Sequence, residues 1–212
     1  MNSKWLFLNL FGLIALLTFT VFTFISVALY PIPYSLLYDW QSNLGNITLN
    51  PSGALLFNWG CIITGLILIP FIITFYRWNK ASQWRKILLI LVIILGVFAA
   101  ISLIGVGLFP ETHIKLHVLA ATSVFESMFF IIILLTITFY KHPKFMHLVA
   151  YWGILAVLID GTFMITLSLP KYHNALAGFH PTVPIPGLEW AAIYSSMIWI
   201  GLLSYNMYKN RV

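Results

Sequence analysis

The chain has 212 residues, of which 61% are hydrophobic and only 8% are charged, and its mean hydropathy is +0.96. This composition excludes a soluble globular domain, because too few charged side chains are present to solvate its surface. The net charge of +6 does not indicate a nucleic-acid partner, since the positions of the basic residues explain it better. Cys61 is the only cysteine, which excludes an internal disulfide, a CxxC redox pair and a cysteine-based zinc site.

Long apolar runs divide the chain. A helix needs about twenty apolar residues to cross roughly 30 Å of hydrocarbon, and six runs meet or approach that length without the alternation of a porin strand. They lie near residues 5–30, 53–76, 87–109, 117–140, 148–169 and 188–208. We therefore expect an all-α polytopic membrane protein, a single six-helix transmembrane domain over residues 1–212. The first run continues to about Tyr30 without a convincing cleavage site, which favours a retained helix over a signal peptide.

The connections between the spans alternate in charge. Nine of the eleven Lys and Arg residues fall on one side of the predicted bundle, whereas Asp39, Glu111 and Glu189 fall on the other. Because basic loops stay in the cytoplasm, we expect both termini to be cytoplasmic in a multi-pass protein of the cell membrane. The nine basic residues are Lys4, Arg77, Lys80, Arg85, Lys86, Lys141, Lys144, Lys209 and Arg211.

Two outer connections carry structural signals. Residues 31–45 are too aromatic for a freely solvated loop, and we expect them to fold onto the mouth of the bundle as a short interfacial helix followed by a glycine turn. Asn46 begins a glycosylation sequon, which is a short and common motif. The loop at residues 170–187 carries four prolines with His173 and His180, a composition typical of an ordered lid.

Two acidic residues lie inside predicted spans, where ionisable groups are costly and indicate function. Glu126 is nine residues from His117, and Asp160 is nine residues from the end of the fifth span, so both lie about 13 Å from the outer rim. If they face each other, we expect the pair to hold one proton at neutral pH. The alternative is that each carboxyl only joins helices through a hydroxyl or backbone partner.

Histidines at the start of the fourth span offer a second candidate site. His113 and His117 are spaced i and i+4, which places both on one face if the helix begins by Thr112. A zinc ion would need further ligands, and His173, His180, Glu111 and Asp39 are on the same side. Zinc is not favoured, because interfacial hydrogen bonding explains the pair more simply. Glu126 faces away from His117, since nine residues turn a helix by half a turn net.

Three short motifs near the outer rim carry a resemblance to a known family. They are residues 34–45, residues 50–58 and residues 105–111, followed by His117 and by alanines at positions 120 and 121. In these motifs the chain resembles the domain-of-unknown-function family 998, six-span membrane proteins common in archaea and similar in outline to the Frag1/DRAM/Sfk1 group. The resemblance implies a fold and a topology but no reaction. The usual acidic residue before Leu-Gly is Asn43 here, so a scheme that needs a first-loop carboxylate depends on Asp39.

Three hypotheses for function follow. The first is a non-enzymatic protein whose outward-opening pocket holds a membrane lipid or another amphiphile. The second is a metal-dependent intramembrane lipid hydrolase that uses His113 and His117. The third is an accessory subunit of a larger membrane complex or a homo-oligomer. The predicted ligand-binding residues are Asp39, Asn43, Glu111, His117, Glu126, Asp160 and Glu189.

Overall fold

A computed structural model describes residues 3–78, 83–169 and 184–211, and every regular element within them is helical. The predicted all-α fold is therefore confirmed. Short 3-10 helices cover Gln41–Gly45, Thr74–Trp78 and Glu111–His113. The α-helices are α1 (Ser3–Leu8), α2 (Phe11–Ala28), α3 (Ala54–Ile73), α4 (Gln83–Leu108), α5 (Ile114–Phe139), α6 (His147–Ser168) and α7 (Ile185–Lys209).

A short turn interrupts the helix of the first predicted span, although Leu6–Ala28 forms one candidate membrane crossing. A turn at residues 9–10 separates α1 from α2. Ser204 on α7 accounts for the turn, because its hydroxyl accepts a hydrogen bond from Leu13 N at 3.0 Å and donates one to Asn9 O at 2.5 Å. A hydroxyl that hydrogen-bonds the freed backbone groups in this way lowers the free-energy cost of a helix break inside a membrane.

The six long helices form a ring in chain order. Each of α2 to α6 packs against the next helix, and α7 closes the ring by packing against both α6 and α2. Asn9 Nδ2 donates to Met207 O at 3.3 Å, so the two ends of the described chain lie together. We call this the basic end of the bundle, and we call the opposite end, which carries residues 29–53 and 109–113, the loop end. Which membrane face each end occupies stays a prediction.

Within the described residues, five helical segments are long and apolar enough to cross a membrane, which makes this a multi-pass membrane protein. They are Leu6–Ala28, Ala54–Arg77, Gln83–Leu108, Glu111–Phe139 and His147–Ser168. Helix α7 is less apolar, and 15 of its 25 residues are buried, whereas only seven of the 26 residues of α5 are. Its buried polar side chains, such as Ser196 and Asn206, contact protein rather than lipid, so the segment does not need the hydropathy of its neighbours.

Close packing between α3 and α4 fixes one wall of the ring. A Cβ atom at Gly65 would lie 2.6 Å from the carbonyl oxygen of Ala100, and one at Gly107 would collide with the carbonyl oxygen of Asn58. Glycine at both positions lets the two backbones approach, as small residues commonly do at helix interfaces in membranes.

Candidate functional site

A narrow cavity of about 110 Å³ lies inside the ring, between α2, α3, α4, α5 and α7. On α7 its lining extends from Glu189 to Ile200, which at 1.5 Å per residue is about 16 Å along the helix. Its walls are almost entirely apolar and include Leu68, Leu103 and Met128. The polar groups are concentrated at the loop end, so the cavity has one polar end, below the mouth of the bundle, and a long apolar interior.

The segment at residues 31–45 builds this mouth by docking onto the start of α7. Gln41 N donates to Glu189 Oε2 at 2.6 Å, which caps the first turn of the 3-10 helix Gln41–Gly45. Gly187 N donates to Leu37 O at 3.2 Å, and Trp190 Nε1 donates to Asp39 O at 3.1 Å. The segment folds onto the loop end as predicted, and its helical part is the 3-10 helix Gln41–Gly45; its place at a membrane interface stays a prediction.

Tyr34 stabilises the same docked segment from below. Its hydroxyl donates to Trp40 O at 2.7 Å, and its ring packs edge-on against Trp190 at 5.9 Å. Burial, followed by the nearby Glu189 carboxyl, raises the pKa of Tyr34 well above its usual value. The phenol therefore keeps its proton over the whole physiological pH range and acts as a permanent donor to the loop.

Gln41 is the most unusual side chain of the mouth. It is 1% exposed and lines the cavity, yet neither Oε1 nor Nε2 has a hydrogen-bond partner among the described residues. Buried polar atoms in folded proteins are nearly always paired, and each unpaired one costs about 1–3 kcal/mol. A buried amide without a protein partner, at the polar end of an apolar cavity, has the position of a group that recognises a ligand.

His117 is the second cavity residue with a defined orientation. It is 6% exposed, and its Nδ1 lies 2.9 Å from the carbonyl oxygen of Phe109. Because a carbonyl oxygen only accepts, Nδ1 carries the hydrogen and Nε2 is the ring nitrogen left for a ligand. His117 and Glu189 are the two predicted ligand-binding residues that line the cavity.

The helical arrangement predicted for His113 and His117 is wrong. Helix α5 begins at Ile114, and His113 precedes it with a φ of −106° and a ψ of 55°, so the two residues share no helical face. His113 is exposed whereas His117 is buried. In residues 3–78, 83–169 and 184–211, no three His, Cys, Asp or Glu side chains are grouped closely enough to hold a metal ion. The other predicted ligands, His173 and His180, lie outside those ranges.

Three further predicted residues support the mouth without lining the cavity. Asp39 Oδ2 accepts a hydrogen bond from Ser35 N at 2.7 Å, which closes a turn in the docked segment. Glu111 Oε2 accepts one from Asn46 Nδ2 at 3.2 Å, which joins that segment to the start of α5. Asn43 is half-buried in the 3-10 helix, on a different side from Gln41, and it does not reach the cavity.

The two intramembrane acids lie in different surroundings, so the predicted shared proton is wrong. Asp160 is fully buried, and its Oδ2 accepts a hydrogen bond from Ser196 Oγ at 3.0 Å. Glu126 is exposed on the surface of α5. The prediction that Glu126 faces away from His117 is confirmed. Asp160 touches the site only indirectly, because its partner Ser196 lines the cavity about halfway along α7.

Comparison with known proteins agrees with this architecture. A protein-family model described as "Protein of unknown function (DUF998)" matches residues 13–206, nearly the whole chain. The chain belongs to this family. The resemblance found in the rim motifs is thereby confirmed. Neither the curated proteins nor the solved structures contain a match to the chain.

The sequence did not point to three polar residues of the cavity, namely Gln41, Ser42 and Ser196. Gln41 and Ser42 belong to the segment that was expected to cover the mouth, but nothing in their spacing shows which side chain turns inward. Ser196 lies beside Ser195 on α7, and only Ser196 faces the cavity. Adjacent residues on a helix point about 100° apart, so the packing of the neighbouring helices decides between them.

Proposed function

We propose that this protein is a non-enzymatic, six-span membrane protein that binds a single-chain amphiphile at the loop end. The hydrocarbon chain occupies the apolar cavity, and the polar head contacts Gln41, His117 and Glu189. The observation that carries the proposal is the unpartnered Gln41 amide at the polar end of an apolar cavity. An amide offers two donors and an acceptor, so it fits the carboxyl head of a fatty acid, which accepts through its oxygens and, when protonated, donates through its hydroxyl.

The dimensions of the cavity favour a linear chain. The lining of about 16 Å along α7 is close to the thickness of one leaflet, about half of the 30 Å hydrocarbon core. The apolar lining runs along the axis of α7, which suits an extended hydrocarbon chain. A chain that enters from water gains about 0.8 kcal/mol per methylene, whereas a chain that enters from the bilayer gains little, because lipid is equally apolar.

Helix α7 is the sixth span in this proposal. Its 25 residues correspond to about 37 Å of helix, which exceeds the 30 Å core. It packs between α2 and α6, which are both candidate spans. Its buried serines and Asn206 are then shielded from lipid by the ring.

Photocrosslinking tests the proposal directly. The probe is palmitate with a mid-chain diazirine, added to purified protein in detergent, and the crosslinked residues are mapped by mass spectrometry. We expect crosslinks on the cavity faces of α3, α4 and α7, removed by excess unlabelled palmitate. Ala99→Phe places a ring in the cavity and should reduce this labelling at least about fivefold, because overpacked sites resist a second occupant.

Ala28→Phe is the matched control, because Ala28 is exposed at the end of α2 and lies outside the cavity lining. It should label as the unaltered protein does. Labelling confined to lipid-facing side chains, or equal labelling of both variants, would refute the proposal.

The other two hypotheses have less support. We do not propose the metal-dependent hydrolase, because His113 and His117 differ in exposure and share no helical face. Association with a larger complex or with a second copy stays a prediction, and native mass spectrometry of the protein released from nanodiscs tests it.

A further inference from the structure

A second pocket lies at the basic end, between the start of α4 and the end of α5. It has a volume of about 430 Å³ and is open on one side. We call it the basic pocket, and it is lined by Trp84, Arg85, Thr136, Ile137, Tyr140 and Lys141. It shares no lining residue with the cavity at the loop end, so it is independent of the proposed function.

The polar atoms of the basic pocket are mostly hydrogen-bond donors. Arg85 Nε is buried and has no hydrogen-bond partner among the described residues. The Arg85 guanidinium lies 5.3 Å from the ring centroid of Trp84, which holds its plane at one wall of the pocket. Lys141 adds an ammonium group and Tyr140 adds a hydroxyl. A ligand that fits these groups supplies several acceptor oxygens.

The charge of this region indicates an anion. The five acidic residues of the chain are Asp39, Glu111, Glu126, Asp160 and Glu189, and none lies in the connections of the basic end. The positive potential of this region affects His142, which follows Lys141 in the chain. Burial and the positive charges of Lys144 and Arg85 lower the pKa of His142. None of the described side chains that line the basic pocket therefore carries a negative charge to balance Arg85 and Lys141.

The position of the basic pocket distinguishes a lipid headgroup from a dissolved anion. Trp84 and Tyr140 are 49% and 45% exposed, and they lie at the ends of membrane-crossing helices. Aromatic side chains at this level mark the headgroup region of a bilayer. Basic pockets between transmembrane helices at this depth bind phosphate-containing headgroups.

We propose that the basic pocket binds the phosphate of an anionic phospholipid. Arg85 and Lys141 contact the phosphate oxygens, and the hydroxyl of Tyr140 donates to the same group. Trp84 packs along the glycerol and the upper part of the acyl chains. The guanidinium binds two phosphate oxygens at once, which a lysine at position 85 cannot reproduce.

Native mass spectrometry of the full chain tests this site. The probes are phosphatidylglycerol, phosphatidylcholine with the same acyl chains, and inorganic phosphate. We expect the unaltered protein to retain phosphatidylglycerol in preference to phosphatidylcholine. The double variant with Arg85→Gln and Lys141→Gln should lose at least about tenfold in phosphatidylglycerol affinity, because it lacks two charge-assisted contacts.

The controls are Lys209→Gln, at the basic end but outside the pocket, and Lys115→Gln, exposed at the loop end. Both should change the affinity less than twofold. If the double variant does not fold, Lys141→Gln alone removes an exposed charge and should still weaken binding. Unchanged affinity in the variants, equal retention of phosphatidylcholine, or displacement of the lipid by millimolar inorganic phosphate would each overturn the proposal.

Discussion

Replacing Gln41 with leucine tests whether the Gln41 side chain recognises a ligand or stabilises the fold. The Gln41 side chain is 1% exposed and has no hydrogen-bond partner among the described residues, so its removal breaks no side-chain bond of the described protein. The backbone bond from Gln41 N to Glu189 Oε2 does not depend on the side chain and is retained. We therefore expect Gln41→Leu to stabilise the ligand-free protein while it weakens ligand binding.

The expected changes in stability and in ligand affinity follow from the two unpaired atoms of the Gln41 amide. Each buried unpaired polar group costs about 1–3 kcal/mol, and imperfect fit of leucine offsets part of the relief, so a net gain of about 1 kcal/mol is expected. For a chain of this length that gain raises the midpoint of unfolding by about 2–4 °C. Loss of the hydrogen bonds from Gln41 to the ligand costs about 0.5–1.5 kcal/mol each, and 1.4 kcal/mol is a tenfold change in affinity.

The assay is thermal unfolding in detergent, followed by tryptophan fluorescence with and without palmitate. Asn43→Leu is the matched control, because Asn43 lies in the same 3-10 helix, is half-buried and does not line the cavity. It should leave the stabilisation by palmitate unchanged. A Gln41→Leu protein that unfolds at a lower temperature and is stabilised by palmitate as much as the unaltered protein would refute the reasoning.

Three further predictions concern topology, packing and the buried acid. If the positive-inside rule holds, a maleimide that cannot cross the membrane should label Ile47→Cys in intact cells and Lys144→Cys only after permeabilisation. The reverse labelling pattern would contradict the predicted orientation. Gly107→Ala should lower the free energy of unfolding by about 1–3 kcal/mol, because its Cβ collides with the α3 backbone. In the control Gly161→Ala the new Cβ lies 3.4 Å from its nearest neighbour, so thermal unfolding should show no loss of stability or a small gain. Asp160→Leu should cost about 1–3 kcal/mol because it leaves the Ser196 hydroxyl without its acceptor, and Asp160→Asn should not; equal unfolding temperatures for the two variants would contradict this.

The positions of the helices were largely predictable from hydropathy. The fifth predicted span at residues 148–169 differs by one residue at each end from His147–Ser168, and the third at residues 87–109 extends back to Gln83. Membrane thickness imposes these lengths on the local sequence. The turn at residues 9–10 was not predictable, because the group that supports it is Ser204, nearly two hundred residues away along the chain.

The site was predictable only in part, because the sequence indicates how deep a residue lies in the membrane more readily than it indicates which neighbour the side chain faces. Counting residues placed Glu126 and Asp160 inside their spans, but their separate environments depend on which neighbour each helix face meets. His117 and Glu189 were predicted and do line the cavity. Gln41 was missed because a polar side chain in a loop has no sequence signal for burial until the loop is docked.

Helix α7 shows why the polar groups of this fold gather where they do. The five candidate spans present mainly apolar side chains to lipid, and a polar residue on such a surface finds no partner there. Helix α7 is enclosed by its neighbours, so Glu189 and Ser196 can point inward and meet the docked loop and Asp160. A more hydrophobic α7 would insert more easily but would lose the cap on the 3-10 helix, and with it the position of Gln41 at the polar end of the cavity. Replacement of Glu189 should therefore impair binding through the loop even where the ligand does not contact Glu189 itself.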